Sequence, residues 1–337
     1  FPTRRSSDLT SRSRRSRSTS SCRRTSAAST VNVRVCAAAL GWKPQDPNAA
    51  FFSWKHDDNA FGASPMWVAA DEADRIVGVR AFMRWRFATP NGGRIEMVRA
   101  VDTATHPDFQ GRGIFTKLTL AGVEELTADG VDFVFNTPND KSMPGYLKMG
   151  WSVARRLPVG VLPTGPRAMA AMITSRVPAA LWSQETGAGL DAGEALGDPS
   201  VATALLEHAP SHGFRTDRTP DYLAWRTSFG PLRYRLLLAS DADPAEGGIV
   251  FRLRRRGDAV EAAVVEQLVP DRRTGARLVR RMLSQTGADY AIGLRTGPSA
   301  GLLALPRQGP LLTTRPLAAS APSPKDWRLT LGDVELF

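Results

Sequence analysis

The chain has 337 residues, of which 42% are apolar and 23% charged, a composition typical of a globular protein with enough material for two cores. Its net charge of +11 is uneven: residues 1–36 hold nine arginines against one acidic residue, and the other 301 residues carry 35 basic and 32 acidic side chains. The rest of the chain therefore lacks the charge excess of a nucleic-acid-binding protein, and we expect no nucleic acid among its partners.

The cysteines, the histidines and the hydropathy exclude disulfide-rich, metal-binding and membrane-spanning proteins. Both cysteines, Cys22 and Cys36, lie in or beside the arginine-rich segment, so the remainder offers neither a disulfide framework nor a thiolate metal site. The four histidines do not have the spacing of metal ligands. No apolar stretch approaches the roughly 18 residues of a membrane span. These features predict a cytoplasmic protein that binds no metal and no membrane.

Residues 1–36 consist largely of serine and arginine without apolar periodicity, a pattern that cannot form a core. Three interpretations compete: a basic nucleic-acid arm, a transit-like leader, and a translation artefact. The opening "FPTRRSSDL" resembles a translated sequencing adapter, and the run after it resembles a gene read out of frame. We therefore predict a disordered or artefactual tail over these residues.

From about residue 40 the pattern becomes globular. An aromatic-rich stretch over 49–56 predicts a short helix, and residues 66–87 predict two strands across a polar turn, with Gly78 at a bulge. Residues 94–105 predict a further strand.

The next elements alternate between helix and strand. Apolar spacing predicts a helix over 113–130, a buried strand over 131–136, a compact helix over 142–150 and a closing strand over 151–162. Hairpins followed by strand–helix–strand predict an α/β fold, with a mixed sheet flanked by helices, over residues 37–162.

A second unit repeats the first. Residues 163–197 form a connection around one helix, and residues 198–337 then echo the first unit in the same order. Residues 51–56 are similar to 222–227, residues 77–86 to 247–256, and residues 106–118 to 269–283. Such ordered similarity predicts two tandem copies of one fold. A final strand is predicted over 326–337.

The stretch "HPDFQGRGIFTKL" (106–118) could bind phosphate or could simply begin a helix. Gly111 and Gly113 remove side chains where a ligand could approach, the following helix directs free N–H groups there, and Arg112 adds a cation. Such a site suits a pyrophosphate. The sequence lacks the Lys-Ser/Thr of a P-loop and the G-x-G-x-x-G pattern of dinucleotide-binding folds.

Two motifs together resemble the GCN5-related N-acetyltransferase (GNAT) superfamily over residues 40–162. The first is the acetyl-CoA loop [Gln/Arg]-x-x-Gly-x-[Gly/Ala], which reads Gln110 to Phe115 here and departs at the bulky Phe115. The second is Asn-x-x-Ser/Ala-x-x-x-Tyr, which reads Asn139, Ser142 and Tyr146, followed by a Gly-Trp pair. The resemblance implies the GNAT fold in both copies.

The resemblance also implies roles for these residues. The pantetheine arm of acetyl-CoA would add like a strand to the strand ending at 105, the amides of 110–115 would hold the pyrophosphate, and Asn139 would contact pantetheine. The implied cofactor-binding set is Val101, Thr103, Ala104, Thr105, Gln110, Gly111, Arg112, Gly113, Ile114, Phe115, Asn139 and Ser142. Tyr146 would protonate the departing thiolate, although without the motif it could equally be a packed aromatic.

The general base has three candidates. Asp102 and Glu96 lie at even spacing on one strand and so share a face, and Asp102 could serve as base or as acceptor anchor. The third is the terminal carboxylate of Phe337. The enhanced-intracellular-survival acetyltransferases, which this chain resembles in its tandem halves, use a chain terminus in that way.

The second copy retains neither motif, so we interpret it as a degenerate GNAT-like domain. The sequence thus predicts an N-acetyltransferase that moves an acetyl group from acetyl-CoA to a primary amine of a small molecule or peptide, and that could form homo-oligomers. A non-catalytic acyl-CoA-binding regulator is the alternative.

Overall fold

The computed structural model describes residues 21–25, 30–175, 177–241, 243–295, 301–319 and 321–335. Its first half alternates short helices with a hairpin-rich sheet, as predicted. In chain order the elements are β1 (Ser21–Thr25), α1 (Thr30–Leu40), α2 (Asn48–His56), β2 (Met66–Ala70), β3 (Ile76–Ala88), β4 (Arg94–Thr105), α3 (Ile114–Ala128), β5 (Phe133–Asn136), α4 (Met143–Lys148), β6 (Ser152–Arg156) and β7 (Val159–Pro163).

The second half repeats the strand–strand–helix–strand order of the first. Its elements are α5 (Pro166–Thr174), β8 (Leu190–Asp191), α6 (Ala192–Leu196), α7 (Pro199–Leu206), β9 (Phe214–Thr216), α8 (Pro220–Thr227), β10 (Arg235–Leu238), β11 (Gly248–Arg256), β12 (Ala259–Leu268), α9 (Arg272–Thr286), β13 (Tyr290–Leu294), β14 (Leu303–Ala304), β15 (Leu311–Pro316), β16 (Trp327–Arg328) and α10 (Leu331–Val334).

Within the described residues the strands form two mixed sheets. The first runs β1-β2-β3-β4-β5-β15-β6, with β9 and β16 beside β3, and the second runs β14-β7-β13-β12-β11-β10-β8. In each sheet an antiparallel hairpin leads into a parallel pair, β4 with β5 and β12 with β13, joined through α3 and α9 respectively. This correspondence confirms the predicted mixed α/β fold with tandem copies.

The two sheets exchange strands, which the sequence did not reveal. The stretch 151–162 is not one strand: it divides at Pro158, which cannot donate a ladder hydrogen bond. The part before Pro158 is β6 of the first sheet, and the part after it is β7, which pairs with β13 of the second. In return β15 enters the first sheet between β5 and β6. The prediction of one strand over 151–162 was wrong for this reason.

The two ends of the chain also differ from expectation. Part of the predicted tail is folded: β1 pairs antiparallel with β2, and in α1 the side chains of Val35 and Cys36 are buried. The final strand predicted over 326–337 is only β16, because Thr330 and Asp333 form a capping box that starts α10 instead.

The two repeated aromatic helices meet at the centre of the molecule. The indole Nε1 of Trp54 in α2 donates to the Trp225 carbonyl at 2.9 Å, and Nε1 of Trp225 in α8 donates to the Trp54 carbonyl at 2.9 Å. Their rings stack with centroids 5.4 Å apart. Equivalent residues thus contact each other reciprocally, as at a two-fold interface. The pairing joins the halves through one large core.

Candidate active site

A β-bulge interrupts β4 at Asp102. Arg80 of β3 pairs with Thr103 while Ala81 pairs with Val101, so Asp102 is an extra residue, and its φ of 41° lies in the left-handed region. On the other side of β4, the parallel pairing with β5 extends only from Met97 to Arg99. Beyond Arg99 the described chain supplies no strand on this edge. The backbone of residues 100–105 therefore offers an edge to which an extended ligand could bind.

The predicted glycine loop forms the start of α3. Gly111 and Gly113 have φ of 73° and 74°, and a Cβ on either glycine would meet no atom of the described chain within 4 Å. Gly113 is the N-cap of α3, and no side chain caps the helix. Its first N–H groups consequently face a cleft of about 460 Å³. The predicted residues lining this cleft are Thr103, Ala104, Thr105, Gln110, Gly111, Gly113, Ile114 and Phe115.

The corresponding helix of the second half lacks this opening. Asp271 caps α9, accepting hydrogen bonds from the backbone N–H of Arg273 and Thr274 at 2.7 and 2.9 Å. The Asp271 carboxylate thus occupies the N-terminus of α9, whereas no side chain caps the N-terminus of α3. The Asp271 carboxylate would repel an anionic phosphate at this end of α9.

Tyr146 is buried in α4, and its hydroxyl accepts a hydrogen bond of 2.9 Å from Nη1 of Arg80. A guanidinium can only donate, so the hydroxyl oxygen is the acceptor and the hydroxyl proton remains available to another group. Arg80 is itself fully buried, and its Nε and Nη2 have no partner in the described chain. Sequence reasoning found Tyr146 and missed Arg80, because a charged residue in a strand is usually exposed.

Phe115, the residue that departs from the family motif, packs against α4. Its ring meets the Tyr146 ring edge to face at 5.6 Å, and a Cβ on Gly145 would approach the Phe115 ring to 3.0 Å. Gly145 thus makes room for the larger side chain. Phe115 therefore packs against the Tyr146 ring and also forms part of the wall of the cleft.

Asn139 and Ser142 form the turn before α4. The side-chain carbonyl of Asn139 accepts hydrogen bonds from the backbone N–H and the hydroxyl of Ser142, both at 3.0 Å. The side-chain NH₂ group of Asn139 has no bond within the described residues, and both residues line the larger cavity described below. Arg112 is exposed, and its guanidinium lies 4.7 Å from the Phe109 ring centroid.

Asp102 is held by two residues of α2. Its carboxylate lies 2.5 Å from Nζ of Lys55 and 2.8 Å from Nε2 of His56, whose Nδ1 contacts Ser64 Oγ at 2.9 Å. Burial tends to raise the pKa of Asp102, but the Lys55 charge and the His56 hydrogen bond outweigh it and hold the pKa well below its usual range. Burial lowers the pKa of His56 despite the neighbouring carboxylate. Neutral His56 therefore donates from Nε2 and accepts from Ser64, and Asp102 stays ionised.

The other predicted bases do not join Asp102. Glu96 is half-exposed and pairs with Arg86 at 2.6 Å, so the two carboxylates are not brought together. Phe337 lies outside the described residues, and its role stays a prediction. Glu335 is buried near the end of the described chain. Arg252, Arg254 and Arg226 hold its pKa at about 2, although burial acts in the opposite direction.

A second cavity of about 530 Å³ adjoins the cleft at α3 and shares Leu40 and Thr103 with it. It brings together the catalytic candidates and several residues that sequence reasoning missed. Its polar and charged lining includes Lys43, Asp46, Asn48, Lys55, Arg80, Arg99, Asp102, Thr103, Asn136, Thr137, Asn139, Ser142, Tyr146 and Glu335. The N-terminus of α3 thus lies on one cavity, and Tyr146 and the Asp102 cluster lie on the adjoining one.

A larger cavity, of about 990 Å³, lies elsewhere. It is lined by β7, β13 and the segment after α5, and it contains none of the motif residues. Its size alone does not make it the active site, since the motifs lie together in the other two cavities.

No helix within the described ranges is long and apolar enough to cross a membrane. Among the same residues, no three histidine, cysteine or acidic side chains are grouped to hold a metal ion.

The comparisons with known proteins agree with the fold and the motifs. Residues 29–154 match the family model for the acetyltransferase (GNAT) domain. No curated protein matches the chain in sequence.

Solved structures share the fold at low sequence identity. A GCN5-related N-acetyltransferase from Anabaena variabilis has a TM-score of 0.58 at 15% identity, covering 88% of this chain and 73% of that one. A probable N-acyltransferase from Enterococcus faecalis has a TM-score of 0.57 at 14% identity, covering 89% and 73%. Eis1 from Mycobacterium abscessus has a TM-score of 0.54 at 16% identity, covering 89% and 74%. Residues 29–154 thus match an acetyltransferase (GNAT) domain, and the chain as a whole shares its fold with these three structures.

Proposed function

We propose that the protein transfers an acetyl group from acetyl-CoA directly to a primary amine of a small molecule or peptide. The observation that carries this proposal is that a cavity at the start of α3 adjoins a cavity that holds the catalytic candidates. The first lies at the uncapped N-terminus of α3, which suits a pyrophosphate, and the second contains a buried tyrosine whose proton is free.

The cofactor would be held by backbone more than by side chains. Gly111 and Gly113 leave the first turn of α3 open to the pyrophosphate, whose charge the helix dipole favours. The unpaired edge of β4 over residues 100–105 would take the pantetheine arm through hydrogen bonds of strand type. Asn139, with its free NH₂ group, would donate to a pantetheine carbonyl.

Acetyl transfer needs stabilisation of an oxyanion and a proton for the leaving sulfur. The amine nitrogen attacks the thioester carbon, and a backbone N–H near the β4 bulge would stabilise the tetrahedral oxyanion. When the C–S bond breaks, sulfur takes the hydroxyl proton of Tyr146, and the new amide nitrogen loses its extra proton to water. Arg80 would stabilise the transient tyrosinate through its bond to the phenol oxygen until water returns a proton to Tyr146.

We assign Asp102 the role of anchor and not of base. Its low pKa makes it a poor proton acceptor, and Lys55 and His56 already engage its carboxylate. Because Lys55 and His56 hold Asp102 at the bulge, the β4 backbone keeps the bulged conformation to which the thioester would bind.

The test is thiol release from acetyl-CoA with a panel of primary amines, together with mass spectrometry of each amine. We expect one N-acetylated product for each thiol released. Calorimetric binding of CoA without any product would instead favour the non-catalytic, regulatory alternative.

A further inference from the structure

Arg99 is a buried cation for which the described chain provides no counterion. It lies on the central strand β4 and is only 2% exposed. Its guanidinium carbon is 5.3 Å from the Trp85 ring centroid and 5.5 Å from that of Phe135. No carboxylate pairs with it in the described ranges, and its Nε has no hydrogen-bond partner there.

The acidic side chains near Arg99 are already engaged. Asp102 is bound by Lys55 and His56, Asp333 by Arg218 at 2.9 Å, and Glu335 by three arginines. Tyr222 is also near, but burial raises the pKa of its hydroxyl far above the neutral range. Among the described residues, no nearby carboxylate is therefore left unpaired for Arg99 to bind.

This arrangement is costly for the free protein. Burial and the neighbouring Arg226 charge lower the pKa of Arg99 to about 10, so the guanidinium still carries its charge at neutral pH. The two aromatic rings offset part of the desolvation, since a cation over a ring gains a modest attraction. An unpaired buried charge otherwise destabilises the fold, and a bound anion would offset that cost.

Arg99 lines the cavity that also holds Tyr146. Arg99 lies two residues before Val101, which is on the edge of β4 proposed to pair with the pantetheine arm. Two residues correspond to about 7 Å along a strand. An amine acceptor seated in this cavity could therefore reach the thioester and Arg99 at the same time. Arg80, whose Nε and Nη2 also lack partners in the described chain, adds positive charge near Tyr146.

We propose that the acceptor is an amine that carries an anionic group, a carboxylate or a phosphate, and that Arg99 binds this group. The planar guanidinium suits both anions because each can accept two parallel hydrogen bonds. The same charge disfavours polycationic acceptors such as polyamines. This inference rests on the proposed acetyl transfer, because it names the substrate class of the same site.

The test compares matched acceptors that differ only in the anion. Suitable pairs are phenylalanine with phenylalaninamide, leucine with leucinamide, and phosphoethanolamine with ethanolamine. Rates are normalised to the unprotonated amine, since removing the anion changes the amine pKa. We expect kcat/KM to be at least tenfold higher for the anionic member of at least one pair. Arg99→Met should remove this preference, and Arg99→Lys should keep part of it.

Two controls separate recognition of the acceptor from general damage. Arg86→Met alters an arginine that pairs with Glu96 on the same sheet outside the cavity, and it should keep the preference. Acetyl-CoA affinity, measured by calorimetry, should be unchanged in Arg99→Met. A matching loss of acetyl-CoA affinity would assign Arg99 to the cofactor and overturn the proposal.

If no acceptor is acetylated, binding of the acceptor pairs tests the role of Arg99. If no amine releases thiol, the proposed acetyl transfer fails, and calorimetry of the same pairs with CoA present then tests Arg99 alone. Tighter binding of an anionic member, lost in Arg99→Met, supports the anion site. Equal binding of both members in every pair, absence of binding, or a preference that survives in Arg99→Met overturns it.

Discussion

The substitution Tyr146→Phe tests the catalytic assignment most sharply, because it removes one oxygen and leaves the ring. The ring contacts with Phe115 at 5.6 Å and Trp151 at 5.2 Å do not involve the hydroxyl, so the packing of α4 should persist. What is lost is the acceptor for Nη1 of Arg80, whose other two nitrogens are already without partners in the described chain.

Two effects set the size of this change. Leaving a buried donor without its partner costs about 1–3 kcal/mol of stability. Losing a general acid costs about 10²–10⁴ in rate. We therefore expect kcat to fall by at least a hundredfold while KM for acetyl-CoA changes little, since the α3 loop and the β4 edge are intact.

The assay is thiol release under saturating amine, with the folded fraction checked by urea denaturation. Tyr290→Phe is the matched control: Tyr290 is also buried, donates to Glu261 at 2.8 Å, and lies in the second sheet. It should lose stability without losing activity. A Tyr146→Phe enzyme within threefold of the wild-type kcat would refute the acid role.

Three further predictions concern stability and packing. Glu335→Gln removes a buried carboxylate that pairs with Arg226, Arg252 and Arg254, and it should cost about 3–5 kcal/mol in urea denaturation. Glu185→Gln, at an exposed pair, should cost under about 1 kcal/mol; equal effects would contradict the network. Burial lowers the pKa of His56 below its unfolded value of about 6.5, so the contribution of neutral His56 to stability is complete above that pH and is lost as the pH falls. The decrease in the free energy of unfolding from pH 7.5 to pH 5.5 should therefore be smaller in His56→Gln but not in His208→Gln. Gly78→Ala would place a Cβ 2.5 Å from Ile114 in the first turn of α3, so KM for acetyl-CoA should rise, while Gly187→Ala, in open space, should leave it unchanged.

The sequence predicted the local elements of the first half well, because their signals are local. The bounds of β4 agree residue for residue with the prediction, and α3 begins just after the glycines that marked it. The repeat of Trp54 in Trp225 anticipated two copies, which meet through those two side chains. Helix periodicity and glycine placement depend on neighbours in sequence, so they can be read without the fold.

Features that depend on distant residues were missed. The bulge at Asp102 arises from pairing with β3, and even spacing along the strand could not show it. The exchange of β7 and β15 between the sheets depends on which edge each strand reaches after Pro158. The burial of Arg99 between two rings is a tertiary property, and arginine is ordinarily exposed.

The central claim is that the N-terminus of α3 binds the pyrophosphate of acetyl-CoA, and one pair of variants tests it directly. Gly111→Asp and Gly111→Asn have nearly the same shape, both residues tolerate the φ of 73°, and open space surrounds the position. Only the aspartate adds negative charge beside the phosphates. Calorimetry should show CoA binding at least tenfold weaker in Gly111→Asp than in Gly111→Asn, with no such difference for acetyl-pantetheine, which lacks the pyrophosphate. Equal CoA affinity in the two variants would contradict the account.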